Sequence, residues 1–203
     1  MATTAAVPAP RLPKRPFAIR HPWDRNFFAL YVVLIWAPIL AGFVREIVRH
    51  YAEGAPPQPW MVRLHGAAFV GWLLLLTTQV LLIRNRKFRL HRRIGVAGAA
   101  LAVLMVLLGL AASFVTQNRD LGTPKADPGF LSVQLIDMIE FGGLVASAII
   151  ARNQPAAHKR LILLATLSLV DAGFARFMSA PLLALLGDGA LLRRAMTRPD
   201  SPR

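Results

Sequence analysis

His91-Arg92-Arg93 followed by IGVAGAALAVLMVLLGLAASFV, residues 94–115, decides the fold. The run after the basic triplet carries no charge, and about 20 such residues in a helix cross roughly 30 Å of hydrocarbon. Lipid offers no hydrogen-bond partner to an open backbone, so a spanning segment of this kind is helical. Outward from it, four more stretches have the same character: Phe27 to Val44, Leu64 to Ile83, Phe130 to Ile150 and Leu161 to Leu186. The last also follows a His-basic-basic triplet, His158-Lys159-Arg160. The expectation is an all-α integral membrane helical bundle of five transmembrane helices, residues 25–187. A polar N-terminal tail, 1–24, precedes it and a basic C-terminal tail, 188–203, follows.

Composition agrees with that class. The chain has 203 residues, is 55% hydrophobic and has a formal net charge of +14, with mean hydropathy +0.48. High apolar content with a large positive charge suits a small multi-span membrane protein. Arg11, Lys14, Arg15, Arg20 and Arg25 lie in the N-terminal tail, Arg84, Arg86, Lys87, Arg89, Arg92 and Arg93 in the second connection, and Arg152, Lys159 and Arg160 in the fourth. The first loop has Arg49 and Arg63, the third Arg119 and Lys125. Positive charge concentrates on the cytoplasmic side of membrane proteins, which places the N-terminus in the cytoplasm and the protein in a cell inner membrane. The basic residues thus report topology and point to no nucleic acid; the partners expected are the lipid bilayer and a membrane protein or a second copy of the chain. Arg193, Arg194, Arg198 and Arg203 conflict with five full spans, and a kink or re-entrant turn at Pro181, or a surface-lying final helix, resolves the conflict.

Residues 1–22 are rich in Ala, Thr, Pro and Arg and have no apolar core, the composition of a disordered tail rather than a cleavable signal. With no cysteine, disulfides, thiolate metal sites and iron–sulfur clusters are excluded. Short connections at 85–90 and 153–157 make two antiparallel hairpins, each opening its second helix with a His-basic-basic triplet. Gly95, Gly98, Ala99, Ala102, Gly109 and Ala112 make the third span a helix that neighbours approach closely, and Gly142-Gly143 read as packing residues in the fourth.

Charges inside hydrocarbon are costly, about 2.5 to 3.5 kcal/mol each at the bilayer centre. Gln134, Asp137 and Glu140 recur every three residues on one face of the fourth span, and Asp171 and Arg176 lie in the fifth. The expectation is a buried polar site in which Arg176 meets Asp137 or Glu140 across the hairpin. That site suits structural pairing, a proton path or a ligand pocket, with Gln79 available from the second span. Of five histidines, His21 and His50 fall outside the spans. His91 and His158 stand at equal depth on two helices, the arrangement a haem or metal needs, with Arg92, Arg93, Lys159 and Arg160 placed for propionates or lipid headgroups. Lipid contact and simple helix-end structure explain the same residues. His65 stands at the opposite mouth and marks a separate outer-side site.

The ordered set Leu64-His65-Gly66 with Trp72 and Gln79, then Leu90-His91-Arg92-Arg93-Ile94-Gly95, then His158-Lys159-Arg160-Leu161 and Ala175-Arg176 resembles a group of small bacterial integral membrane proteins without an assigned function. The resemblance runs from about Arg63 to Met178. A related small membrane family takes part in maturing haem-copper terminal oxidases, so the resemblance implies a role linked to haem b or to respiratory-complex assembly. Two other functions fit the residues: a small proton-coupled transporter using Asp137, Glu140, Asp171 and Arg176, and a structural or lipid-binding subunit. No nucleophile-base-acid set or phosphate loop occurs, and no enzymatic activity is expected.

Overall fold

The computed structural model describes residues 24–123 and 128–186, with side-chain surroundings for 26–123 and 128–178. The expected tails lie outside the described residues, apart from Asp24, which opens the first helix. Six α-helices follow in order: α1 Asp24–Ala52, α2 Trp60–Arg84, α3 Phe88–Asp120, α4 Pro128–Ile150, α5 Pro155–Ser168 and α6 Asp171–Leu186. Among the described residues the chain is all-α. Four helices are long and apolar enough to cross a membrane, and the bent pair α5 and α6 makes a fifth if counted as one.

The helix ends follow local chemistry. Pro155 occupies the first turn of α5, where its missing N–H costs nothing. Between α2 and α3, Arg86 adopts a left-handed φ of 56°, Lys87 N donates to Leu82 O and Arg86 N to Ile83 O. These are the two bonds of a Schellman cap, with Arg where Gly is commoner, and they reverse the chain within three residues.

α3 packs on α2 and on α4, and α4 packs on α5. The indole Nε1 of Trp72 donates to Thr166 Oγ1 at 3.2 Å, which closes the ring between α2 and α5. The four helices therefore form a bundle with α3 facing α5 across it and α2 facing α4. Phe141, Leu73, Met105 and Thr166 are its largest fully buried side chains, and the Trp72 and Phe141 rings meet edge to face with centroids 5.1 Å apart.

The fifth apolar stretch is not one straight span. It breaks at Leu169-Val170, with α5 and α6 bent by 44°. Pro181 lies inside α6, so the break comes well before the proline at which a kink was expected. Beyond it, α6 leaves the α4–α5 side and packs along α1. Gly42 and Gly173 make this crossing: a Cβ on Gly42 would meet Gly173 O at 2.5 Å, and one on Gly173 would meet the Ile39 side chain at 2.5 Å. α1 is tied to the bundle by Tyr31 Oη donating to Leu163 O at 2.6 Å and Trp36 Nε1 donating to Thr77 Oγ1 at 3.1 Å.

Candidate functional site

The two hairpins bring His91 and His158 together at one end of the bundle. Their ring centroids are 6.4 Å apart with planes at 87°, and both side chains are half-buried. His91 comes from the first turn of α3, His158 from the first turn of α5, so each is carried by a helix on opposite sides of the bundle. The Nδ1 of His158 lies 2.8 Å from Ala148 O on α4. A carbonyl only accepts, so Nδ1 carries the proton and Nε2 presents a lone pair.

His91 has the opposite condition. Among the described residues its buried Nδ1 has no hydrogen-bond partner, and the same is true of the neighbouring Gln79 Oε1. Gln79 spends its amide N–H on His91 O at 3.2 Å, which fastens α2 to the first turn of α3. Leaving a buried acceptor or donor unpaired costs about 1 to 3 kcal/mol, and two such atoms beside a pair of imidazoles mark this end of the bundle as a binding site candidate.

The spacing fits one metal centre between the rings. Metal–nitrogen bonds of about 2.0 Å on opposite sides of an ion put two imidazole centres roughly 6 Å apart. Among the described residues no group of three or more His, Asp or Glu side chains stands ready to enclose a metal ion. An ion held by protein alone would be short of ligands here, whereas a haem brings four nitrogens of its own and asks the protein for two. Arg92 and Arg93 are exposed beside His91, and Arg160 beside His158. Lys159 lies 5.2 Å above the Phe28 ring of α1. A depression of about 520 Å³ adjoins this end, lined by Arg86, Lys87, Phe88, Arg89, Leu90 and Arg92.

The expected pairing of Arg176 with Asp137 or Glu140 is corrected by the course of α6. Arg176 turns toward α1, where its guanidinium stands 4.7 Å over the Phe43 ring and donates to Ala172 O at 2.8 Å. Its own carbonyl accepts from Arg45 Nη2. Asp137 is half-buried and lies within electrostatic reach of Asp171 and Glu140. Glu140 and Asp171 are exposed on the side of the bundle, and Gln134 is half-buried on the same helix as Asp137. The Asp171 carboxylate accepts from Ala172 N, at the start of α6. The carboxylates thus gather without the arginine, on the flank of the bundle rather than in its core.

His65 sits at the other end, half-buried, with a buried Nδ1 that has no hydrogen-bond partner among the described residues. The residue it meets was invisible to sequence reading: a Cβ on Gly109 of α3 would collide with Met138 Sδ of α4 and stand 3.3 Å from His65 Cε1. A methionine in an apolar helix gives no signal of its own. Gly142 packs near Val106, but Gly143 has open space beside it, so only the first of that pair makes a close approach within the chain.

Compared with protein families, characterised proteins and solved structures, the chain matches none.

Proposed function

We propose that this chain is an inner-membrane haem-binding protein that holds haem b between His91 and His158 at the cytoplasmic end of its bundle. The observation that carries the reading is the imidazole pair itself, 6.4 Å apart, delivered by facing helices with His158 oriented by Ala148 O. His158 Nε2 and a ring nitrogen of His91 would hold the haem iron, and Arg92, Arg93 and Arg160, exposed beside them, would pair with its propionates. When bound, haem supplies a one-electron centre whose potential follows its ligands and their hydrogen bonds. The protein's own part is to fix the imidazole of His158 by the Ala148 bond, to fasten the first turn of α3 through Gln79, and to surround the site with apolar helices that limit water.

The side of the membrane rests on the basic residues of 84–93 and 152–160, which share an end of the bundle with the imidazoles. A place in respiratory-complex assembly is consistent with a haem held at the membrane surface.

The test is an absorption spectrum of protein purified in detergent from haem-replete cells, and again after haem addition. A Soret band lost in both His91→Ala and His158→Ala supports the reading. Folded protein that stays colourless after haem addition overturns it.

A further inference from the structure

At the end of the bundle opposite the imidazole pair, about 27 Å along α3, three helices meet at Gly109. α2 brings His65 and α4 brings Met138, and both pack against Gly109: a Cβ there would collide with Met138 Sδ and stand 3.3 Å from His65 Cε1. Met138 is buried in the core. His65 Nδ1 is buried and has no hydrogen-bond partner among the described residues. Ser113, buried one turn along α3 from Gly109, spends its hydroxyl on Gly109 O at 2.8 Å. A thioether is a weak acceptor, so Met138 does not repay the imidazole for the water it has lost.

A buried imidazole nitrogen and a buried thioether sulfur brought together at one glycine are nevertheless a good pair for one class of ligand. Thioether donors select soft ions, copper(I) above all. Copper(I) is a filled-shell ion that accepts two ligands, so it does not need the three or four donors that zinc requires and that are not gathered among the described residues. Harder divalent ions keep oxygen ligands and water, and an apolar wall of helices provides neither.

We propose that His65 and Met138 form a site for a single copper(I) ion where they meet beside Gly109. His65 Nδ1 and Met138 Sδ are its two protein ligands. The glycine is part of the site because a Cβ there would collide with Met138 Sδ, one of the two ligands. This site shares no residue with His91 and His158 and does not depend on the haem reading.

The experiment uses the full chain in detergent, titrated anaerobically with copper(I) supplied as its acetonitrile complex, against a chromophoric copper(I) chelator. X-ray absorption of the loaded protein reports the ligands. The expected result is one equivalent bound, with one nitrogen neighbour and one sulfur neighbour at about 2.3 Å, the usual metal–sulfur length. Met138→Leu, close in volume, removes the sulfur neighbour and weakens binding more than about tenfold. His65→Ala does the same to the nitrogen neighbour. Gly109→Ala displaces Met138 without removing a ligand and lowers affinity as well, while His91→Ala and His158→Ala leave it unchanged. Wild-type protein that binds no copper(I), or binds it with no sulfur neighbour, overturns the proposal without reference to any variant. Equal affinity in wild type and Met138→Leu overturns it too, by moving the ion to another methionine.

Discussion

His158 Nδ1 lies 2.8 Å from the carbonyl oxygen of Ala148, so the last turn of α4 sets the orientation of an imidazole on α5. This bond separates two roles of one side chain, anchoring and ligation, and each amide replacement keeps one of them. Asn places its N–H₂ near the position of Nδ1 and keeps the bond to Ala148; Gln reaches toward the position of Nε2 and gives it up. His158→Asn is expected to unfold within about 1 kcal/mol of wild type, the net worth of one hydrogen bond, while losing the Soret band. His158→Gln loses both. Denaturant titration in detergent beside the absorption spectrum distinguishes them, and a Soret band retained in His158→Asn would remove His158 from the ligand set.

Trp72 and Thr166 make the polar contact that closes the four-helix ring. Thr166 is fully buried and also donates to Ile162 O. Thr166→Val keeps shape but strands the indole N–H, and is expected to cost about 1 to 3 kcal/mol. Adding Trp72→Phe removes the stranded donor and so costs less than the sum of the single changes. A double-mutant cycle on unfolding midpoints checks this; strict additivity would mean that the bond carries no coupling.

Small residues at a helix crossing are graded by what stands opposite them. Gly42 faces backbone of α6, Gly98 faces the mobile end of Leu75, and Gly143 faces open space. Alanine is expected to cost about 1 to 3 kcal/mol at Gly42, where backbone must move, and less at Gly98. At Gly143 it gains roughly 0.5 to 1 kcal/mol from helix propensity. Thermal unfolding of the three variants in one detergent gives the ranking, and a Gly42→Ala variant as stable as Gly143→Ala would contradict the α1–α6 crossing.

Topology is open to direct labelling because the chain has no cysteine of its own. Glu53→Cys, after α1, and Arg89→Cys, in the first turn of α3, both sit at exposed positions. A membrane-impermeant thiol reagent is expected to label Glu53→Cys in intact cells and Arg89→Cys only after lysis. The reverse pattern would place the imidazole pair on the outer side.

What the sequence disclosed, and what it hid, divides along a physical line. Helices α1 to α4 are legible because each is an apolar run of membrane length, and the hairpin turns because basic residues interrupt those runs. The meeting of His91 and His158 is anticipated by their equal depth, since two antiparallel hairpins in one membrane share a level. The break at Leu169-Val170 is not legible: no Gly or Pro marks it, and Pro181, which looks like the breaker, is accommodated within α6. That break redirects α6 onto α1 and takes Arg176 with it, away from Asp137 and Glu140. Depth along a helix is a one-dimensional property and can be counted; which helix lies alongside is a tertiary property and cannot. Met138 opposite His65 was missed for the same reason.

The α1–α6 crossing at Gly42 and Gly173 also orders events during synthesis. α1 enters the membrane before any other helix described here, yet the surface it docks against is completed only when α6 has left the ribosome. Until then Arg45 lacks the Arg176 carbonyl it bonds in the finished protein, and α1 is held to α2 and α5 by Tyr31, Trp36 and the packing of Val32 and Ile35 into the core. The earliest of these helices is therefore locked down by the latest.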